Sequence, residues 1–348
     1  MTNIEIIESV RAAACGQVPR QDISALLYRH GCHSILLRFA DPRLKQQLIV
    51  EKALNTVAVK ERFKACKCLF EQNDIQYAVI KGAILSYALY GDPFIRSSGD
   101  IDILIHRRDT DKTKALLKET GFVQGRATEH GIVPFSRREI LFQSSMSHQT
   151  APYVKQTGNR LCPYVNLDVN TDIMWGESEE KSDMDIVLNF TEKFELLGTH
   201  FYKFSPAMEF ISLCLHHYKD MNSLYLLSKG SLRLGLFCDI YDYVKNVCPN
   251  INEIKDICKA LNVGKYIYVC LAHTHEVFDD DIFLEYMTAL DEYMSPQLLN
   301  SFGLCDKERK AWSIGLFDRI LHHNLSEYLD QVLSDEEKEK IKLNQDLM

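Results

Sequence analysis

One short stretch, SGDIDILI at residues 98–105, constrains the fold and function of this chain more than any other. Side chains alternate between the two faces of a β-strand, so Asp100 and Asp102 project to the same side. The apolar residues between and after them can hold the strand in a core. Paired carboxylates on a buried strand repel each other, and a bound divalent cation such as Mg²⁺ relieves that repulsion. A Gly-Asp turn that caps a strand is the other interpretation.

The composition is that of a soluble globular protein, and 348 residues suffice for two or three domains. A net charge of −8 argues against broad nucleic-acid binding, because neutralising phosphates requires clustered lysines and arginines. No apolar run is long enough to span a bilayer, and the acidic first residues lack a signal-peptide pattern. Eleven cysteines without the spacing of a secreted scaffold add to the prediction of a cytoplasmic protein without a membrane partner.

Hydrophobic periodicity divides the chain into three predicted parts. Residues 1–73 form a helical segment, residues 74–180 a core with strands, and residues 181–348 a second helical region. In the middle part a strand-like run ends in Lys81-Gly82, a short helix follows, and the Asp100 strand comes next. The predicted fold class is therefore α+β, with a β-sheet core flanked by an N-terminal helical segment and a C-terminal helical bundle.

The order of these features resembles the nucleotidyltransferase superfamily typified by DNA polymerase β and the aminoglycoside nucleotidyltransferases. In that superfamily a glycine turn opens a helix, an Asp-x-Asp pair follows on the next strand, and a third carboxylate lies on a later strand. The local match joins IKG at residues 80–82, LYGDP at residues 89–93, Arg96 and DIDILI at residues 100–105. It is similar to the bacterial subgroup of uncharacterised nucleotidyltransferases. The resemblance implies a nucleotidyltransferase-type small mixed β-sheet.

The resemblance also implies a phosphate-binding turn at Gly82. A free glycine amide at a helix N-terminus favours anions, which agrees with that role. Many members of the superfamily have a serine after this glycine, whereas this chain has Ala83. The hydroxyls of Ser97 and Ser98, just before the carboxylates, are predicted to contact the phosphates instead.

Two cations lie close to these motifs in sequence. Lys81 is predicted either to bind nucleotide phosphates or to face solvent at the end of a strand. The planar guanidinium of Arg96 suits a phosphate or a carboxylate. Its alternative role is a structural ion pair with Asp92 or Asp102.

The third carboxylate is predicted on the strand at residues 164–170. Asn166, Asp168 and Asn170 alternate with apolar residues there and therefore share one face. Asp168 fits the acid that the superfamily carries on its later strand, while the subgroup often has a histidine where Asn170 stands. Asp172 could take the same role after a register shift of two, but the alternation favours Asp168.

Together these residues predict a metal-dependent nucleotidyltransferase. Asp100 and Asp102 would hold Mg²⁺, or Mn²⁺ in its place, with the triphosphate of an incoming NTP. Asp168 would complete a second metal site or accept the proton of the attacking group. The acceptor would be a small molecule, a peptide or a protein, and pyrophosphate would leave. The alternative hypothesis is a catalytically silent nucleotide-binding or regulatory module with the same fold, which Ala83 makes conceivable.

The C-terminal helices are the predicted location of an acceptor pocket, by analogy with superfamily members that modify small molecules. Glu209, His216 and His217 lie on or near one predicted helix, and Arg233 lies on the next. Their contribution to the site is left open by the sequence. The run CLHH at residues 214–217 lacks a second pair at ligand spacing, so the sequence does not predict a zinc site.

Overall fold

The computed structural model describes residues 2–18, 22–72, 74–146, 148–176, 178 and 181–347. Its helices in chain order are α1 (Asn3–Ala14), α2 (Ser24–Arg29), α3 (His33–Phe39), α4 (Pro42–Glu71), α5 (Gly82–Tyr90), α6 (Thr110–Glu119), α7 (Arg137–Met146), α8 (Met184–Asn189), α9 (Pro206–Asn222), α10 (Leu224–Ser228), α11 (Leu234–Val247), α12 (Ile251–Leu261), α13 (Gly264–Phe278), α14 (Ile282–Ala289), α15 (Pro296–Leu299), α16 (Leu316–Ile320), α17 (Leu325–Val332) and α18 (Asp335–Leu347). Its strands are β1 (Tyr77–Ile80), β2 (Asp100–Ile105), β3 (Val123–Thr128), β4 (Gly131–Pro134), β5 (Tyr153–Gln156), β6 (Tyr164–Asn170), β7 (Thr191–Leu196), β8 (Thr199–Phe204), β9 (Ser301–Phe302) and β10 (Lys310–Ala311).

The chain divides into two compact units. One, which we call the helical unit, comprises Met1–Lys45 and Leu213–Met348, and the other, the sheet unit, comprises Gln46–Ser212. The boundaries drawn from the sequence, after residues 73 and 180, both lie inside the sheet unit. Most of α4 belongs to the core of the sheet unit, and β7 and β8 extend its sheet beyond residue 180.

Among the described residues, the sheet unit holds an eight-stranded sheet of order β4-β3-β5-β6-β2-β1-β8-β7. β2 pairs in parallel with β6, and β1 pairs in parallel with β8. The other neighbouring strands of this sheet are antiparallel. This mixed sheet, together with the helices before and after it in the chain, confirms the predicted α+β class.

The core of the sheet unit forms between α4 and one face of the sheet. α4 contributes an apolar stripe with helical spacing. Alternate residues of the two central strands meet this stripe. The residues involved are Val59, Phe63, Cys66, Leu69 and Phe70 of α4, Ile101, Ile103 and Ile105 of β2, and Val165, Leu167 and Val169 of β6. The intervening polar residues of β2 and β6 consequently project to the opposite face of the sheet.

Local sequence signals predicted several helices closely. Apolar residues that recur every three or four positions predict a helix from Pro42 to Gln72, and this is α4, which ends one residue earlier. The same periodicity predicts a helix from Ile251 to Leu261, and α12 has these bounds. Ser334 and Glu337 have the spacing of a capping box for the last helix, and the box is present: Ser334 N donates to Glu337 Oε2, and Glu337 N donates to Ser334 Oγ. These predictions are confirmed because short-range capping and periodicity suffice to specify such elements.

The predicted helical region at residues 181–348 is wrong over residues 191–204. β7 and β8 form an antiparallel hairpin there. Leu197 and Gly198 join the strands, and both have positive φ angles, of 55° and 68°. Two successive residues with positive φ are the geometry of the tight hairpin turn that matches strand twist. The Leu197-Gly198 pair was the available sequence signal.

The helical unit is organised around α13. This helix is buried along most of its length and packs against α1, α11 and α14. A helix that is apolar around most of its circumference is stable only where other helices cover it, which is the situation here. In the portion of the chain that the structure describes, no helix combines the length and apolarity needed to cross a membrane.

Candidate active site

Asp100 and Asp102 begin β2, on the face of the sheet opposite to the α4 core. The intervening Ile101 is 6% exposed and belongs to that core, which fixes the direction of both aspartates by strand alternation. Asp102 is 8% exposed, so its carboxyl group is largely withdrawn from water. The Asp-x-Asp pair therefore lies on one side of a buried strand, as its sequence pattern predicts.

A third carboxylate comes from β6, the parallel neighbour of β2. The register of this pair sets Asp168 directly beside Asp102 and Asn170 beside Leu104. Since paired residues of neighbouring strands point to the same face, the aspartates share one surface. We call Asp100, Asp102 and Asp168 the carboxylate triad. The catalytic and metal-binding roles of these residues stay predictions.

The electrostatics of the carboxylate triad are unfavourable when the acids are ionised. Burial raises the pKa of Asp168 to about 7, and the charges of Asp102 and Asp100 add to that rise. The pKa of Asp100 is also raised, mainly by burial and then by Asp102. Lys81 opposes both shifts. Groups that are buried together with like charges gain strongly from a bound cation.

Asp172, the alternative third acid, forms hydrogen bonds to the backbone that follows β6. Its Oδ1 accepts hydrogen bonds from the backbone N–H groups of Met174 (2.9 Å) and Ser182 (3.4 Å). The carboxyl group thereby organises the chain after β6. The geometry thus favours Asp168 as the acid nearest to the Asp-x-Asp pair.

Lys81 and Gly82 form the turn between β1 and α5, and both adopt positive φ angles. Lys81 has φ 57° and ψ −149°, and Gly82 has φ 46°. For a lysine this conformation costs on the order of 1–3 kcal/mol. β1 ends opposite Asp102, so the turn brings Lys81 Nζ to 3.3 Å from Asp102 Oδ1. The strained turn therefore holds an ammonium group against the carboxylate triad and begins a helix beside it.

Residues 91–99 connect α5 to β2, and we call them the 91–99 loop. Two side chains of α4 hold its backbone. Asn55 Nδ2 donates to the carbonyl oxygens of Phe94 and Arg96, each at 2.8 Å. Arg62 donates to Ser98 Oγ at 3.2 Å and to the Ser98 carbonyl at 2.6 Å. The helix thus fixes the segment that leads directly into Asp100.

The predicted phosphate-binding residues of this loop differ in their surroundings. Ser97 is exposed, whereas Ser98 is partly buried and its hydroxyl donates to the Asp100 carbonyl at 2.9 Å. The backbone N–H of Arg96 donates to Ser86 Oγ at 3.1 Å. Asp92, a suggested partner of Arg96, forms an ion pair with Lys52. The Ser98 hydroxyl therefore stabilises the conformation of this loop, and the Ser97 hydroxyl is the more accessible of the two.

Asn170 contacts the carboxylate triad from β6. Its Nδ2 donates to Asp102 Oδ1 and to the Ile103 carbonyl, each at 3.1 Å, and its Oδ1 accepts from Gln149 Nε2 at 2.9 Å. The side chain is 1% exposed. Both amide hydrogens and the amide oxygen are satisfied, so Asn170 orients the Asp102 carboxyl group.

We expect Asn170→Ala to lower the free energy of unfolding by about 1–3 kcal/mol, because it leaves buried polar partners unsatisfied. Chemical denaturation at neutral pH measures the change. Asn166→Ala is a matched control, since Asn166 lies on the same strand face but makes one exposed hydrogen bond, to Gly99. Its effect should stay within about 0.5 kcal/mol. Equal stability of the Asn170→Ala variant and the wild type would contradict the orienting role.

The histidines of α9 belong to the helical unit. His217 Nε2 lies 3.2 Å from Asp239 Oδ2 of α11, and both side chains are buried. Glu209 lies in the first turn of α9, and Arg233 is the residue that precedes α11. A catalytic contribution of these residues stays an open prediction.

Sequence reasoning missed the two α4 residues that hold the 91–99 loop. A signal was present for Arg62, which interrupts the apolar stripe formed by Val59, Phe63 and Cys66. A charged residue at a core position of an amphipathic helix indicates a buried partner. For Asn55 the sequence carries no comparable signal, because its partners are backbone carbonyl groups distant in sequence.

Comparison with known proteins identifies the family of this chain. The sequence matches the family described as "Uncharacterised nucleotidyltransferase" over residues 17–279, a range that includes the carboxylate triad. A crystal structure of an antigenic nucleotidyltransferase-like protein from Paracoccidioides brasiliensis is similar over 71% of this chain and 95% of its own, with 19% identity and a TM-score of 0.39. No curated protein matches the chain. Because the family match covers well over half of the sequence, this chain belongs to the uncharacterised nucleotidyltransferase family.

Proposed function

We propose that this chain transfers a nucleoside monophosphate from an NTP to a nucleophilic group and releases pyrophosphate. One observation carries the proposal: three aspartates share one face of two adjacent parallel strands, two of them with raised pKa values. Such an arrangement is costly for folding unless a cation binds, because burial and like charge both disfavour ionised carboxylates.

The donor set suits Mg²⁺ or Mn²⁺. Carboxylate oxygens are hard ligands, and these ions prefer such ligands when they act together with phosphates. Asp100, Asp102 and Asp168 are the residues that would hold the ion. The ion would supply charge neutralisation of the triphosphate and polarisation of the phosphoryl group.

The protein groups around the carboxylate triad can position a nucleotide. The first turn of α5 has backbone N–H groups without helical partners, and such groups together with the helix dipole favour phosphate. Lys81 can exchange its contact with Asp102 for a phosphate oxygen once the carboxylates are neutralised. Ala83 is buried in the apolar core, so the backbone of this turn rather than a side chain at position 83 would meet the phosphates.

The chemical step is a substitution at the α-phosphorus. A bond forms between the acceptor oxygen or other nucleophile and this phosphorus, the bond to the β-phosphate oxygen breaks, and pyrophosphate leaves with the electron pair. Asp168 would receive the proton of the nucleophile or complete the metal site. Positioning and electrostatic stabilisation then account for most of the rate enhancement.

The acceptor class that we propose is a small molecule, a peptide or a protein side chain in the cytoplasm. The net charge of −8 argues against a nucleic-acid acceptor, since phosphate backbones bind through clustered cations. The test is transfer of radiolabel from each of the four α-labelled NTPs to extract of the source cell. Label on an acceptor with wild-type protein and none with Asp100→Asn would support the proposal. Binding of NTP without transfer to any acceptor would indicate the silent module instead.

A second prediction concerns the affinity for NTP with and without Mg²⁺, which calorimetry measures. Mg²⁺ should strengthen NTP binding to the wild type at least tenfold, because it joins the triphosphate to the carboxylates. Asp100→Asn should lose most of this gain. Asp111→Asn is the matched control, since Asp111 is an exposed carboxylate on α6 of the same unit. Binding that is equal with and without Mg²⁺ in all three proteins would argue against a metal site at the triad.

A further inference from the structure

A second group of ligand atoms lies on α9, in the helical unit. His216, His217 and Asp220 each offer a ligand atom, and these atoms lie within 4.8 Å of one another. We call these residues the histidine–aspartate cluster. His216 and Asp220 are four residues apart and therefore share a helix face, with His216 Nε2 3.6 Å from Asp220 Oδ2. The cluster is separate in sequence and in structural unit from the carboxylate triad.

His217 is the buried member of this cluster, and its ring is held in one orientation. Its Nε2 lies 3.2 Å from Asp239 Oδ2, and the two side chains are 2% and 5% exposed. With Asp239 ionised, its carboxylate can only accept, so Nε2 carries the proton of the neutral imidazole. The other ring nitrogen, Nδ1, is then a lone-pair donor, and it is buried without a hydrogen-bond partner among the described residues. A buried nitrogen of this kind requires an electrophile or a proton to satisfy it.

The pattern is that of a metal-binding histidine. Histidines that bind metals with one nitrogen commonly donate the other N–H to a carboxylate, which fixes the tautomer and the ring orientation. Zn²⁺ bonds to histidine and carboxylate ligands are about 2.0–2.1 Å long, so tetrahedral ligand atoms are about 3.3 Å apart. The 3.6 Å between His216 and Asp220 is close to that value. Their side chains are 30% and 20% exposed, which leaves a route for an ion from solvent.

We propose that the histidine–aspartate cluster binds a divalent transition-metal ion of the zinc class. His216, His217 and Asp220 supply three ligands, and Asp239 orients His217. A fourth coordination position remains for water or for a ligand group, as in zinc sites with three protein ligands. The imidazole nitrogens are softer ligands than the oxygens of the carboxylate triad. The cluster should therefore prefer zinc-class ions, whereas the triad should prefer Mg²⁺ or Mn²⁺.

The test is metal binding by the full chain, measured with zinc chloride by calorimetry in excess magnesium. His216→Ala and Asp220→Ala should each weaken binding of one equivalent of zinc at least tenfold. The double variant His322→Ala/His323→Ala is the matched control, because it removes another adjacent histidine pair that lies outside the cluster. Its zinc binding should equal that of the wild type. The Asp100→Asn variant should also keep this equivalent, which separates the cluster from the triad.

Cobalt(II) absorption identifies the ligands, since the chain has eleven free cysteines. Nitrogen and oxygen ligands should give weak visible bands without an intense thiolate charge-transfer band, and Asp220→Ala should remove them. Thermal unfolding without metal must show that His216→Ala and Asp220→Ala are folded. Added zinc should raise the melting temperature of the wild type but not of these two variants. Unchanged zinc affinity in both variants, or a thiolate band, would overturn the proposal.

Discussion

Asp102→Asn should reduce nucleotidyl transfer by two orders of magnitude or more. The substitution keeps the size of the side chain and an oxygen that can accept from Asn170, but it removes a charge that would hold the metal ion. Metal stabilisation of a phosphoryl-transfer transition state is worth several kcal/mol, and each ~1.4 kcal/mol corresponds to a factor of ten in rate. Initial rates of pyrophosphate release with saturating Mg²⁺ and NTP measure the effect.

The stability of the same variant distinguishes a catalytic from a structural residue. Without nucleotide or metal, Asp102→Asn should be close to the wild type in stability, because relief of the repulsion with Asp100 and Asp168 offsets the lost ion pair with Lys81. Asp111→Asn should leave both rate and stability unchanged. Transfer at close to the wild-type rate in Asp102→Asn would contradict the mechanism, and an unfolded variant would indicate that the strand requires this aspartate for folding.

Without metal, the contribution of Asp168 to stability should fall as the pH rises from about 4 to about 7. The pKa of Asp168 is about 7 in the folded chain, whereas it is about 3.9 in an unfolded chain. Between these values Asp168 is protonated in the folded chain and ionised in the unfolded chain. Its contribution to stability is therefore complete below about pH 4 and is lost as the pH rises to about 7. Asp100 and Asp102 raise this pKa and Lys81 opposes the rise. The loss should be on the order of 2–4 kcal/mol.

Asp168→Asn isolates this contribution. The variant should be more stable than the wild type at about pH 8, and the difference should shrink towards about pH 4, where Asp168 is protonated in both states. Urea denaturation at several pH values, with a chelator present, measures both curves. Millimolar Mg²⁺ should restore stability to the wild type at high pH and not to the variant. Parallel curves for the two proteins would contradict the unfavourable burial of Asp168.

The elements that sequence analysis placed correctly are those with strong local signals. α4 carries a helical apolar stripe, α18 begins with a capping box, and β6 alternates polar and apolar residues over its predicted span. Such signals depend on neighbours within a few residues and can therefore be found without knowing the fold. The β7–β8 hairpin was missed because charged and aromatic residues on an edge pair do not alternate cleanly in hydrophobicity.

The site was predictable only in part, for a similar reason. Strand alternation alone gives the common side of Asp100 and Asp102. The approach of Asp168 depends on the parallel register between β2 and β6, which is set by contacts distant in sequence. The resemblance to known nucleotidyltransferases supplied that expectation instead. Arg62 and Asn170 have roles defined by three-dimensional partners, so periodicity could place them on an element but not identify what they contact.

The way in which α4 holds the 91–99 loop has a consequence for how the site can diversify. Asn55 binds this loop entirely through main-chain carbonyl groups, and the shortest contact of Arg62 is to another. The path of the loop is therefore largely independent of the side chains at residues 95–97, whereas Phe94 packs against the core of the sheet unit. Those side chains can be exchanged for others while the entry into Asp100 keeps its shape. The backbone that presents Asp100 thus tolerates sequence change in the loop, because α4 maintains it.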